Sequence, residues 1–286
     1  MRRSTTSGVT EPARAVYRRR LGAVLGAELI CAAFLVGGPQ AAPSGPAVAT
    51  PLPAAATASP APRAVVMADG RTAQLIDLGA PGGASLLDRI SAELPGATDA
   101  VTAFWGPEWP RDVHIVVARS PEEFAALAAG DTGIAATTTA DRITFSPGVA
   151  AINVADLRTV LRHELFHYAA RPVTVADAPM WLTEGVADFV GRAETALSPE
   201  WASAARSGQL PTGAELAQAG PDRSAAYDRA WSFASYVADT YGADRLRALY
   251  LEACRQGHPD IATAVRNALD AELPAVLAGW QQWHTG

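Results

Sequence analysis

The sequence predicts an α+β fold in which a small mixed sheet precedes a largely helical body. Three observations carry that expectation. Short runs with strand alternation cluster between residues 64 and 146, and stretches with apolar residues three and four apart fill the remainder. The two regimes meet at one amphipathic segment, residues 154–168, which follows the last strand pair directly. Residues 64–286 make about 220 residues, enough for one domain with a full core.

The elements follow in order. Arg2, Arg3, Arg14, Arg18, Arg19 and Arg20 precede an apolar run from Leu21 to Gly38, interrupted by Glu28. A basic flank before such a run predicts a secretory signal peptide or a signal anchor over residues 1–49. Ala47-Val48-Ala49 offers an A-x-A cleavage site before Thr50. The expected location is extracytoplasmic, either secreted or anchored to the cell membrane by this single apolar segment. Cys31 lies inside the run after Ile30, which does not suit a lipoprotein site. Residues 39–63, rich in Pro and Ala and uncharged until Arg63, read as an extended linker that can bury no core.

Ala64–Met67 and Thr72–Ile76 read as two short strands around Asp69-Gly70. A helix is expected from about Ala84 to Phe104, with Leu86, Leu87, Ile90 and Leu94 at helical spacing, and Thr102–Trp105 as core packing. Asp112–Ala118 alternates as a strand, with Val113, Ile115 and Val117 on one face and a structural His114 on the other. Pro121-Glu122-Glu123 opens a helix to Ala129, and Ile134–Thr139 with Arg142–Ser146 predicts a hairpin around Ala140-Asp141. Beyond Gly191 the pattern predicts helices near 198–207, 223–241, 243–255, 259–270 and 272–284, with Gly242 as a helix stop.

The chemistry sits in Arg162-His163-Glu164-Leu165-Phe166-His167, an H-E-x-x-H. Asn153 with Asp156 resembles a capping box, and Leu157, Leu161 and Leu165 form an apolar stripe, so the motif rides a packed helix. Residues four apart share a helix face, so His163 and His167 can present two imidazoles to one divalent ion, a set that suits zinc. Glu164, beside the first ligand, can take a proton from a water held there. A second helix is predicted from Pro179, with Asp177 in the cap region, through Trp181-Leu182-Thr183-Glu184-Gly185 to Phe189. Glu184 and Asp188 are again four apart. One carboxylate can complete the ligand set while the other accepts the free N–H of a ligating imidazole. Gly185, costly in mid-helix, is explained if this helix approaches the first one closely.

Composition limits the partners. Removing residues 1–49 takes out six Arg and two Glu and leaves 17 basic against 27 acidic residues, a charge of −10. That argues against nucleic acid or an anionic membrane surface as the binding partner. Every basic residue is Arg and none is Lys, alongside heavy Ala usage, which suits a GC-rich bacterial genome. Cys254 is the only thiol of the domain, so no internal disulfide is available.

These residues resemble the gluzincin clan of metallopeptidases, especially its small peptidase-MA-like domains, in which H-E-x-x-H is followed by W-L-x-E-G-x-A. The resemblance spans residues 110–250 in outline, with its specific content in 160–190. It implies a zincin-like fold: an N-terminal sheet lobe, a central active-site helix and a helical C-terminal lobe. It also implies His163, His167 and Glu184 as zinc ligands, Glu164 as general base and Asp188 as the partner of His163. The activity implied is hydrolysis of peptide bonds in peptides or proteins. In zincins the strand before the site helix is the sheet edge on which substrate backbone adds. The Gly-x-Met-Glu-Asn motif of the large aminopeptidases is absent, which favours an endopeptidase. Gluzincins commonly add a phenol or imidazole to stabilise the oxyanion. Of Tyr227, Tyr236, Tyr241, Tyr250 and His258, Tyr227 is favoured because it lies near the start of its helix. His258 and His284 are not expected to be metal ligands. Two rivals are defined. A zincin-fold envelope protein can act as a silent binding module, and the intact Glu164 argues against it. A deformylase-like hydrolase needs a Cys ligand upstream, and only Cys31 precedes the motif.

Overall fold

The strand alternation of the first half closes into a five-stranded mixed sheet, in a computed structural model that describes residues 62–127, 134–192, 208–218 and 221–283. The segment expected to direct export, nearly all of the expected linker, the helix expected at 198–207, and His284 lie outside those residues. The sheet order is β1 (Arg63–Val66), β2 (Thr72–Asp77), β3 (Asp112–Val117), β5 (Ile143–Phe145), β4 (Ala136–Thr138). β1 and β2 form the expected hairpin, with Val66 opposite Thr72 and Arg63 opposite Leu75. β2 and β3 run parallel, Thr72 beside Asp112 and Asp77 beside Val117, and β3 and β5 are also parallel. A parallel pair needs a long crossover, and α1 (Gly83–Trp105) supplies it between β2 and β3. β4 turns back antiparallel on β5, Thr138 opposite Ile143, and forms one edge of the sheet.

The apolar faces meet where the periodicities place them. Val113, Ile115 and Val117 of β3 are fully buried, and His114 on the opposite face is exposed. Leu86, Leu87, Ile90, Leu94, Ala97, Val101 and Trp105 make the buried stripe of α1. α2 (Pro121–Leu127) is a short surface helix seated by Phe124. After β5, Pro147–Ala151 forms a 3-10 turn that the sequence reading does not include.

α3 (Val154–Ala170) is the helix of the H-E-x-x-H segment. Asn153 caps it by accepting from the Asp156 N–H at 2.9 Å. The return contact runs from Asn153 Nδ2 to Asp156 Oδ2 at 2.6 Å, so the cap is a side-chain pair and not a full capping box. Leu157, Leu161 and Leu165 are fully buried as expected, and the Tyr168 hydroxyl donates to the Asp112 carbonyl at 2.6 Å, fastening α3 to β3. α4 (Met180–Gly191) starts after Pro179, which provides no side-chain cap. Asp177 lies 3.7 Å from His258 Nε2 and does not serve the cap the sequence assigns to it. α5 (Gly213–Ala217) is a short helix with a true capping box between Thr212 and Glu215. The C-terminal body then comprises α6 (Pro221–Tyr241), α7 (Ala243–Cys254), α8 (Ile261–Leu269) and α9 (Leu273–Trp283), within two residues of the expected bounds. Gly242, at φ 97°, separates α6 from α7 in a conformation that glycine adopts without a Cβ penalty. Among the described residues, no helix is long and apolar enough to cross a membrane.

One cluster of apolar side chains runs from the sheet through α1, α3 and α4 into α6–α9. Phe166 of α3 sits at its centre, edge-on to Phe104, Trp105 and Tyr250. A smaller cluster of Ala118, Phe124, Ile134, Leu216, Ala226 and Tyr227 lies beside it, with Trp181 packed against both.

Candidate metal centre

α3 and α4 pack directly on each other, and each contributes polar side chains to their shared interior. Gly191 makes part of this approach possible, since a Cβ there would lie 3.0 Å from the Thr159 carbonyl oxygen and 3.4 Å from the His163 Cβ. Gly185 serves a different contact from the one its sequence context predicts. A Cβ on it would lie 2.5 Å from the Ala230 carbonyl oxygen, so the helix it lets α4 approach is α6 and not α3.

His163 and His167 are fully buried, and Glu184 and Glu164 are 1% and 2% exposed. The two Nε2 atoms are 3.1 Å apart, and Glu184 Oε2 lies 3.4 Å from His163 Nε2 and 3.6 Å from His167 Nε2. Among the described residues these three side chains are the one group of His, Cys, Asp and Glu whose ligand atoms converge closely enough to hold a metal ion. Zinc takes imidazole nitrogen and carboxylate oxygen at about 2.0–2.1 Å, which at tetrahedral angles separates the donors by roughly 3.3 Å. The observed triangle fits that requirement on all three edges. Glu184 Oε2 is buried without a good hydrogen bond, an expense that an ion at this point removes.

In the metal-free cluster the imidazolium and carboxylate charges compensate one another, and a metal ion would take the place of the imidazolium proton. Burial raises the Glu184 carboxyl, but the charge of His167 and the contacts from both imidazoles outweigh it and hold the group at about 2. For His163, burial lowers the imidazolium, while the Asp188 hydrogen bond and then Glu184 outweigh it and hold it at about 10 in the metal-free protein. Burial pushes Glu164 upward from the usual carboxylate range, opposed by His163 and His167 and by the Thr138 hydroxyl.

Two connections extend the centre. Asp188 Oδ1 accepts from His163 Nδ1 at 2.9 Å, the contact expected of it, so a metal that displaces the Nε2 proton would find that nitrogen aimed at the ligand position. Asp188 Oδ2 lies 2.7 Å from Arg192 Nη2, and Arg192 Nη1 donates to Asp228 Oδ1 at 2.7 Å. Burial disfavours the Arg192 cation, and the two carboxylates more than restore it. On the other side, the Thr138 hydroxyl of β4 lies 2.7 Å from Glu164 Oε2 and 3.0 Å from the Glu164 carbonyl oxygen. Thr138, Arg192 and Asp228 are absent from the sequence reading. Arg192 had a signal, since it continues the four-residue stripe of Glu184 and Asp188; Thr138, inside Thr137-Thr138-Thr139, had none.

The remaining candidates make other contacts in this structure. Tyr236 packs its hydroxyl over Gly279 of α9 and against Tyr241, and burial pushes its phenol up to about 12. The Tyr250 hydroxyl pairs with Thr174 Oγ1 at 2.9 Å deep in the core. His258 Nδ1 lies 2.9 Å from the Pro259 carbonyl oxygen. Tyr227 is 2% exposed in the smaller apolar cluster with Phe124, Ile134 and Leu216. Cys254 is a buried free thiol whose ionisation burial suppresses.

No protein-family model and no curated protein matches the sequence. Similar solved structures include the M1 zinc metallopeptidase from Deinococcus radiodurans, at 17% identity and TM-score 0.48. A mutant of the same enzyme has 18% identity and TM-score 0.49, and a mutant two-domain M1 zinc metallopeptidase bound to L-arginine has 17% and 0.49. The overlaps cover 76–77% of this chain and 50% of each of those chains, so this chain spans about half their length. Activity is therefore read from the side chains.

Proposed function

We propose that this protein is an exported, zincin-like zinc metallopeptidase that hydrolyses internal peptide bonds. The observation that carries the reading is the meeting of His163, His167 and Glu184 at 3.1–3.6 Å on two packed helices, with Glu164 buried beside them. Neutral imidazoles and one carboxylate are the donor set of an open catalytic zinc, with a fourth position left for water or substrate. A zinc ion held by His163, His167 and Glu184 would supply Lewis acidity to a peptide carbonyl and to water. Glu164 accepts the proton of the attacking water and returns it to the leaving amine. Its burial suits that task, because a carboxylate raised above its usual range is a better base near neutral pH. β4 is the edge strand beside the site helix but its three residues are buried, so the endopeptidase reading rests on the absence of the Gly-x-Met-Glu-Asn motif. Tyr227, on the helix that packs on α4, is the proposed donor to the oxyanion. Residues 1–49 direct export under this reading, and extracted protein should begin near Thr50 or retain Arg14–Arg20 as an anchor.

The test is metal analysis joined to peptide-library digestion. The protein should carry about one zinc per chain, lost in His163→Ala, His167→Ala and Glu184→Ala. Glu164→Gln should keep the zinc and lose peptide hydrolysis, since it removes a base but no ligand. Zinc binding without hydrolysis by the wild-type chain would leave a binding module as the better account.

A further inference from the structure

Resting on that reading of the metal centre, we propose that Arg192 and Asp228 are positioning residues for the ligand His163, acting through Asp188. Four side chains lie in line across three helices: His163 of α3, Asp188 near the end of α4, Arg192 just past it, and Asp228 of α6. The links are 2.9, 2.7 and 2.7 Å. Each oxygen of Asp188 has a different partner, Oδ1 the imidazole through a hydrogen bond and Oδ2 the guanidinium through an ion pair at 2.7 Å that lacks hydrogen-bond alignment. A carboxylate tethered at one oxygen can swing about its side-chain torsions; one tethered at both fixes the plane in which His163 Nδ1–H must lie. Fixing that ring fixes the direction of Nε2, the ligand atom.

The charges explain why Asp228 belongs to the device. Asp188 is fully buried and the Arg192 side chain is only 10% exposed, so their attraction is weakly screened. A guanidinium paired with Asp188 alone would draw that carboxylate's charge away from the imidazole. Asp228 shares the guanidinium through its other nitrogen, so Asp188 retains more of its charge for the Nδ1–H bond. Arg suits this place because its planar fork reaches two carboxylates at once, which an ammonium cannot do in the same geometry. The spacing is built into α4: Glu184, Asp188 and Arg192 follow at four-residue intervals along one face, giving ligand, orienting carboxylate and counter-ion in sequence. The bare approach of α6 at Gly185 brings Asp228 within reach, and the Trp231 ring, 5.3 Å from the guanidinium carbon, confines it.

The experiment is a double-mutant cycle on the full chain, read as zinc affinity by chelator competition and as the visible spectrum after cobalt(II) loading. Asp188→Asn should weaken zinc roughly 10–100-fold, as loss of a carboxylate partner of a metal-bound His usually does. Asp228→Asn, which keeps size and can still accept from Arg192, should weaken zinc about 3–10-fold and shift the cobalt bands. In the Asp188→Asn background the Asp228→Asn change should add nothing beyond a factor of about two, because the path to His163 is already cut. Should Asp228→Asn not fold, Arg192→Lys, which keeps the charge without the fork, carries the same comparison. Wild-type zinc affinity in the single variant, or a full multiplicative effect in the double, overturns the inference; a lowered melting temperature of the metal-free protein with unchanged affinity marks a structural ion pair and does the same. A wild-type chain that takes up no zinc instead removes the metal centre itself.

Discussion

Replacing Gly185 with alanine tests whether the C-terminal body sets the geometry of the metal centre. The added Cβ would meet the Ala230 carbonyl oxygen at 2.5 Å, its carbon at 2.8 Å and the Ala230 Cβ at 3.3 Å. The first two are helix backbone and cannot rotate away. Ordinary contact begins at 3.4 Å, so α4 and α6 must separate by about 0.9 Å at this point. Overpacking of that kind costs roughly 1–3 kcal/mol, partly offset by about 1 kcal/mol because alanine is the better helix former. The net loss of about 0–2 kcal/mol lowers Tm by several degrees at the upper end, at roughly 2–4 °C per kcal/mol for a domain of this size. The effect on the site should be larger than the effect on stability. Glu184 adjoins Gly185 and Asp188 lies one turn on, so displacement of α4 moves a ligand and its neighbour's partner together, and a 1 Å misplacement can cost on the order of 10²-fold in rate. Gly96→Ala is the control: nothing lies within 4 Å of its Cβ on the exposed face of α1, so it should stabilise by up to about 1 kcal/mol. Thermal unfolding and zinc competition on both variants decide the matter. Gly185→Ala with wild-type zinc affinity and turnover would show that α6 yields freely, and the reasoning would fail.

Thr138→Val removes the hydroxyl that faces Glu164 and keeps the shape, so it should retain zinc yet lower kcat about 10-fold, with Thr138→Ser near wild type; equal losses in both would assign the effect to packing. Stability of the metal-free protein should depend on pH through two groups. His163, raised to about 10 from 6.5, contributes stability that is complete below pH 6.5 and lost as pH rises through 10. Glu184, lowered to about 2 from 4.5, contributes stability present above pH 4.5 and lost as pH falls through 2. Melting temperatures of metal-free and zinc-loaded protein between pH 6 and 10 check the first, and an equal decline in both would refute it. Tyr227→Phe should fold, keep zinc and lose roughly 10²–10³-fold in kcat with little change in KM; wild-type kcat would end that assignment.

The order of elements was legible because burial is one-sided. Strands facing a single core must alternate, helices must carry a stripe, and both periods survive in this sequence from β2 to α9. The metal triad was legible for a related reason: two helices each place their pair of polar residues four apart, and that spacing is fixed by helix geometry whatever surrounds it. Contacts between elements far apart in sequence were not. Thr138 meets Glu164 across 26 positions and Arg192 meets Asp228 across 36, and no local period encodes which residue will stand opposite. Gly185 shows the limit clearly. Its presence in mid-helix announced a close approach, but only the packing reveals that the neighbour is Ala230 of α6.

That neighbour changes the role of the helical body. Had Gly185 met α3, the centre would be a two-helix device and α6–α9 a scaffold behind it. Instead α4 is held between α3, which shares its ligands, and α6, which touches the residue next to Glu184 and supplies Asp228 to the ion pair behind Asp188. α6 is fixed in turn by α9, through Trp280 Nε1 donating to Ser232 Oγ at 3.0 Å and Trp280 lying edge-on to Phe233. Phe233 is itself edge-on to Trp181, one turn before Glu184. A continuous line of packed contacts therefore joins the last helix to the ligand-bearing turn of α4. Packing at this density transmits sub-ångström shifts and does not absorb them. The placement of Glu184 thus depends on residues about a hundred positions downstream, a dependence that the H-E-x-x-H segment alone could not disclose.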